Sequence, residues 1–420
     1  MKTMKTMKTM KTMKTMKTMK TMKTMKTMKT MKTMKTIKLL AYIFIGGLFA
    51  ACSSDSGDDN VPTPIVPTTY SGDITEDVTW TSDNIYTLDG RVMVVDGVTL
   101  TIEAGTVIKG APGTGADASA LIIARGGKIM ANGTAANPIV FTSSADNSTN
   151  GTSGFGSGLS SSDQGLWGGV LILGNADISA DANPLQIEGI PVEETNGLYG
   201  GGSSSNNSDN SGVFRYVQIR HGGAEIGEGN EINGLTLGGV GSGTQISHVE
   251  IIANLDDGLE CFGGSVDCNN ILVWGAGDDS FDVDQSYSGT INNFLGILIS
   301  GDQALEIDGW EGAMQADFSL TNGTIIGAQG DKNNCGKFKS NASGSVSNML
   351  YTNMKEGATL TVDAGATGVT FSNISFEAGY TQTLVDDLGS TVWNDNNNGT
   401  GGATLSNFDG WSCASYMNAY

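Results

Sequence analysis

The 420-residue chain carries 44 acidic against 23 basic residues, a formal charge of −21, together with 60 glycines and five cysteines. Thirteen of the basic residues are lysines within the first 38 positions, so beyond them ten basic residues face all 44 acids and the net charge is −34. Such a surface repels nucleic acid and anionic headgroups and favours divalent cations, basic partners or simple solubility, which excludes DNA or RNA binding.

Residues 1–36 are twelve tandem Met-Lys-Thr triplets. They have no apolar periodicity and cannot build a core, so they read as a low-complexity expansion or a start assigned too early. Begun at Met34, the chain has two lysines followed by an apolar run over 39–51. That is the layout of a secretory signal peptide, too short to span a bilayer comfortably. The segment 37–51 ends Leu48-Phe49-Ala50-Ala51 before Cys52, which resembles a bacterial lipobox. The resemblance implies that Cys52 is acylated, becomes the mature N-terminus and anchors the chain to a membrane. The acidic, serine-rich run from Ser53 to Asn60 resembles the export signal of Bacteroidetes surface lipoproteins. It implies an outer-membrane location exposed to the cell exterior, and is compatible with a solvated tether over 52–72, stiffened by Pro62, Pro64 and Pro67.

From 73 to 420 one domain is expected. Gly, Thr, Val, Ile and Asn dominate it, with no convincing amphipathic helix. Val98 to Lys109 alternates as strand, Ala104-Gly105 turn and strand, and Gly127-Lys128-Ile129-Met130 repeats Gly105-Thr106-Val107-Ile108 at an offset of 22. Between residues 256 and 308 one pattern is written three times. Asp256-Asp257-Gly258-Leu259-Glu260-Cys261-Phe262 recurs at Asp278 to Asp284 and again at Asp302 to Asp308, with offsets of 22 and 24. A period of this size with internal alternation is that of a solenoid whose turns each add a short strand. These phrases resemble right-handed parallel β-helices of bacterial surface proteins. The run from Asn230 to Gly241 with the later Asp-Asp turns resembles a group of Bacteroidetes outer-membrane lipoproteins. The resemblance implies an all-β, right-handed parallel β-helix and no particular activity.

The Ser/Gly/Asn stretches 143–165 and 193–212 are expected as loops extruded from turns, either a recognition rim or ornament. The tail, with Asp386-Asp387, Asn394 to Asn398 and Phe408 to Cys413, is expected to close the stack. An exported compartment permits Cys261 with Cys268, or Cys335 with Cys413, as disulfides; a buried free thiol at Cys261 fits equally.

With the copies in register, Leu235, Leu259, Phe281 and Leu305 stack inward, as do Leu237, Cys261, Val283, Ile307 and Phe338. One outward column then reads Thr236, Glu260, Asp282, Glu306, Lys337 and Thr361, and the next Gly238, Phe262, Asp284, Asp308, Lys339 and Asp363. Carboxylates one coil apart, about 5 Å, repel by about 1 kcal/mol when hydrated and about 3 when partly shielded. Lys337 and Lys339 offset part of that, and calcium held by Asp282, Asp284, Glu306 and Asp308 would offset more. The Asp-Asp pairs themselves read as corners whose side chains cap backbone amides.

Three functions compete on this face. The first is binding of an extracellular partner or glycan through Glu260, Asp282, Asp284, Glu306, Asp308, Lys337, Lys339 and Trp310, with calcium as a candidate cofactor. Trp274, Trp310 and Phe262 would then be exposed platforms for sugar rings. The second is a polysaccharide hydrolase or lyase. The order of Asn254 and Asp256, Asp278-Asp279, Asp302 and Lys337-Phe338-Lys339 resembles the motif order of polygalacturonase-type glycoside hydrolases, which implies paired acids for leaving-group protonation and water activation. Asp302 stands where that family carries a histidine and Lys337 where it carries an arginine, so catalysis by Asp278, Asp279, Asp302 and Lys337 is in doubt. The third is an accessory subunit of an outer-membrane uptake or assembly complex.

Overall fold

The computed structural model describes residues 68–420 apart from 150–153, 157, 226–231, 329–333, 378–384 and 387–399. The Met-Lys-Thr tract, the apolar run 37–51, Cys52 and the tether as far as residue 67 lie outside the described residues, as do Asp387 and Asn394 to Asn398.

Strands one coil apart pair in parallel, and 23 of them join into a continuous sheet wound as a right-handed parallel β-helix. Its first face stacks Leu235–Gly238, Leu259–Phe262, Phe281–Asp284, Leu305–Ile307, Gly336–Phe338 and Leu360–Val362. The register is that of the repeat: Thr236 faces Glu260, Glu260 faces Asp282, Asp282 faces Glu306, and Glu306 faces Lys337. The second and third faces are the two halves of longer strands such as Gln245–Ile252, Cys268–Trp274 and Thr290–Ile297.

From Gly212–Arg220 onward the long strands each bend at a non-glycine residue in the left-handed region. These are Tyr216, His248, Asn270, Asn293, Asn322, Asn348 and Asn373, with φ between 49° and 58°. Asparagine tolerates this region best among residues with a Cβ, because its short amide finds local partners. Here the partner is one coil away. Asn293 Nδ2 donates to Asn270 Oδ1 at 2.6 Å, Asn348 to Asn322 at 2.7 Å and Asn373 to Asn348 at 2.7 Å.

Inward side chains fill one continuous core that includes Leu235, Leu259, Phe281, Leu305, Cys261, Val283 and Phe338. Cys261, Cys268, Cys335 and Cys413 are all buried free thiols, so neither expected disulfide is present. Cys413 packs against Ile252 and Ala253.

Two segments cover the outside of the coils. Residues 176–199, which include a cis Asn183-Pro184 bond and the short antiparallel pair Leu185–Gln186 and Leu198–Tyr199, bury Ile178, Ile187, Ile190 and Tyr199 against Ile122, Leu171, Leu173 and Phe262. The stretch 193–212, expected as a recognition rim or an ornament, thus contributes its first residues to a lid whose larger part, 176–192, was not among the expected loops. The C-terminal residues 401–420 run back along the flank instead of closing the end of the stack. Ala403 N donates to Thr324 Oγ1, Thr404 N to Asn293 Oδ1, Asn407 Nδ2 to Asn270 Oδ1, and Cys413 and Ala414 N to Glu250, so successive residues meet successively earlier coils. The physical reason is that outward positions Leu272 and Leu295 are apolar and are covered by Phe408, Trp411 and Ala414.

Candidate functional site

The Asp-Asp corners form first in any account of the acidic face, because they fix where its backbone turns. Asp257 Oδ1 accepts from Asp279 N at 2.8 Å, and Asp279 Oδ1 accepts from Gln303 N at 2.6 Å. Asn254 Nδ2 braces the same corner by donating to Ile232 O and Asp257 O. The second aspartate of each pair is thus buried as an amide cap, and the first is turned outward: Asp278 is exposed and Asp256 half-buried.

The outward column does not face open solvent as the alternation suggests. Glu260 is 7% and Asp282 9% exposed. The lid lies beside them, with Tyr199 against Phe262 at 5.9 Å between ring centroids and its hydroxyl on Gln285 Oε1 at 3.0 Å. The amide of Asn233, itself 1% exposed, donates to Glu260 Oε2. Corner and column converge in consequence. Carboxylate oxygens of Asp257, Glu260 and Asp282 lie within 4.8 Å of one another, as do those of Asp279, Asp282 and Glu306, and those of Asp256, Asp257 and Asp278.

Carboxylates about 4 Å apart repel by about 4 kcal/mol at an effective dielectric near 20, so the row is costly when ionised without compensation. Burial and then neighbouring charge push the carboxyls of Asp257, Glu260 and Asp282 well above the usual range. Burial, reinforced by Glu306 and opposed by the Gln303 amide, takes Asp279 to about 8.

The far end of the row is built differently. Lys339 Nζ lies 3.0 Å from Glu306 and 3.2 Å from Asp308. Burial lowers its pKa, but bonds to Glu306 and the charge of Asp308 outweigh that and raise it above the ordinary range. Asp284 accepts from Gln285 N at 2.6 Å and is pushed up to about 7, chiefly by burial and then by Glu311 and Asp308. Trp310 is half-buried two residues after Asp308, and its carbonyl accepts from Asn341 Nδ2, two residues after Lys339. Asp284, Glu306, Asp308, Trp310, Lys337 and Lys339 all keep some surface exposed.

Of the three expected aromatic platforms, only Trp310 belongs to this patch. Phe262 is 7% exposed under the lid, and Trp274 stands on the third face against Phe155, 5.5 Å away, because its strand pairs with Ile252 and Ile297. Of the proposed catalytic set, Asp278 is exposed, Asp302 half-buried and Asp279 spent on capping; Lys337, in register with Glu306, forms no ion pair among the described residues. Asn233 and Asp257 enter the cluster although the charge columns did not point to them. The lid was signalled by outward positions that break alternation: Ala120-Leu121-Ile122-Ile123 and Val170-Leu171-Ile172-Leu173 are apolar throughout, the mark of strands covered on both sides.

Fold and face together define a parallel β-helix with a row of outward acids, roofed at one end and open at the other. The chain belongs to the family of pectate-lyase-like β-helix domains, whose model matches residues 72–414. Neither a curated protein nor a solved structure matches it.

Proposed function

We propose that this chain is a lipid-anchored protein of the outer cell surface that binds a polysaccharide at the open end of its acidic face. The observation that carries the reading is the ion-paired cluster of Lys339, Glu306 and Asp308, with the partly exposed Trp310 two residues beyond Asp308 in the chain. A partly exposed indole supplies a face for a sugar ring, and paired charges of both signs supply directional donors and acceptors for its hydroxyls and carboxylates. A rigid solenoid with neighbouring coils about 4.8 Å apart suits an extended chain ligand better than a small one. Membership of a pectate-lyase-like family supports a carbohydrate ligand, and the corner aspartates Asp257 and Asp279 are committed to backbone caps.

The test is calorimetric titration of pectic, other acidic and neutral polysaccharides into the full chain in detergent. Binding should weaken tenfold or more in Trp310→Ala and in Lys339→Ala, each removing about 1.4 kcal/mol or more. No binding by the wild type, or equal binding by both variants, would sink the reading. Scission of any of these glycans during the titration would move the assignment to the enzyme alternative.

A further inference from the structure

We propose that a cavity between the lid and the earliest coils binds a small zwitterion of the α-amino acid class, its carboxylate on Arg125 and its ammonium group on Asp96. This site is separate from the polysaccharide patch and does not rest on it.

Val94 and Ile123 pair across the first two coils of the first face, and Asp96 and Arg125 follow them by two residues, on the turn that leaves that face. Equivalent positions on successive coils stand about 4.8 Å apart. The two charges nevertheless form no ion pair, with each other or with any other described residue. The Arg125 guanidinium turns instead to the lid, where one N–H donates to Gly200 O at 2.8 Å. Asp96 is seated by Gly126, whose φ is 79° and where a Cβ would overlap the Asp96 carboxylate. The fold thus holds a cation and an anion side by side and leaves both without a charged partner.

Both line a cavity of about 350 Å³, which Asn175, Thr195, Asn196 and Ser204 close from the side of the lid. Small-molecule pockets start at about 300 Å³, so the space suits one small ligand. Only ten basic residues face 44 acids beyond residue 38, and a partly buried arginine without an acid beside it keeps its fork for an incoming carboxylate. Asp96 is acceptor-only and takes the ammonium group.

Charge decides between the ligand classes of this size. A zwitterion matches one positive and one negative group and, being neutral overall, is not repelled by a chain of net charge −34. A sugar acid is an anion, which that field repels, and it offers Asp96 no cation. A neutral sugar leaves Arg125 without a carboxylate and finds no aromatic face among the lining residues. The hydroxyls of Thr195 and Ser204 and the amide of Asn196 favour an amino acid with a polar side chain.

The experiment is calorimetric titration of the full chain in detergent with L-serine, L-asparagine and L-glutamine, and with glucose and galacturonic acid as comparators. At least one amino acid should bind at about one per chain, and tenfold or more tighter than either comparator. Its carboxamide, which lacks the carboxylate, and its N-acetyl derivative, which lacks the ammonium group, should each bind tenfold or more weaker; this comparison needs no variant and stays decisive if a substitution disturbs the lid. Arg125→Gln and Asp96→Asn should each weaken the amino acid by a similar factor. Trp310→Ala and Lys339→Ala should leave it unchanged, which separates this site from the polysaccharide patch. The proposal is overturned if no amino acid binds, if glucose or galacturonic acid binds as tightly, or if the blocked derivatives bind like the parent.

Discussion

Glu250 is a carboxyl with 0% exposure whose two oxygens accept from the backbone amides of Cys413 and Ala414 at 2.7 and 2.8 Å. Burial raises its pKa to about 7 from 4.5, against the lowering effect of those amides and of Arg220. A raised carboxyl pKa means that the folded chain holds this proton more tightly than the unfolded chain. The associated stability is therefore complete below about 4.5 and is lost as pH rises through about 7, on the order of 3 kcal/mol for a shift of this size. In Glu250→Gln that component is absent, so the difference in unfolding free energy between wild type and variant should change across this window and stay flat above it. Denaturant melts at a series of pH values measure it; parallel curves would contradict the assignment. The same residue explains why an otherwise sheet-facing glutamate occurs at all: it anchors the returning C-terminus.

At the scale of elements, the two covering segments are what distinguish this solenoid from a bare stack. The C-terminal segment is held by Trp411, 1% exposed, whose ring meets Tyr216 and His248 edge-on at 5.7 and 5.8 Å and whose indole N–H donates to Asn407 O. Truncating a buried tryptophan costs about 3–5 kcal/mol. Trp411→Ala should destabilise the chain by that amount and expose Leu272 and Leu295, so limited proteolysis should cleave within 401–420 well before the coils. Coils and tail cut at equal rates would mean that the segment contributes no separate element. The asparagine ladder is continuous with this arrangement, since Asn270 Oδ1 accepts from both Asn293 Nδ2 and Asn407 Nδ2, while Asn293 accepts from Thr404 N at its Oδ1.

At the scale of the whole molecule, the net charge beyond residue 38 is −34, and the acids of the β-helix that are not buried keep its surface strongly negative. Attachment to a membrane would have to come from lipid rather than from basic residues. Cys52→Ser should leave the chain in the soluble fraction after cell lysis, whereas the wild type sediments with membranes and enters detergent; equal partitioning of the two would remove the anchor from the proposal.

The repeat at 256–308 determined the fold, the strand register and the inward columns, because a period-2 alternation inside a period near 22 leaves one way to bury Leu259, Phe281 and Leu305 together. It also marked the corners, since Asp257 and Asp279 cap amides one coil away, as local turn chemistry suggests. What alternation cannot express is whether an outward residue stays outside. Glu260 and Asp282 point away from the core, yet a segment some 60 to 100 residues earlier lies beside them, and only tertiary packing brings Asn233 and Asp257 to the same carboxylates. The C-terminus likewise reads as an end cap in one dimension. Its place on the flank is decided by Glu250 and by the apolar outward side chains of the third face, which are contiguous only once the coils are stacked.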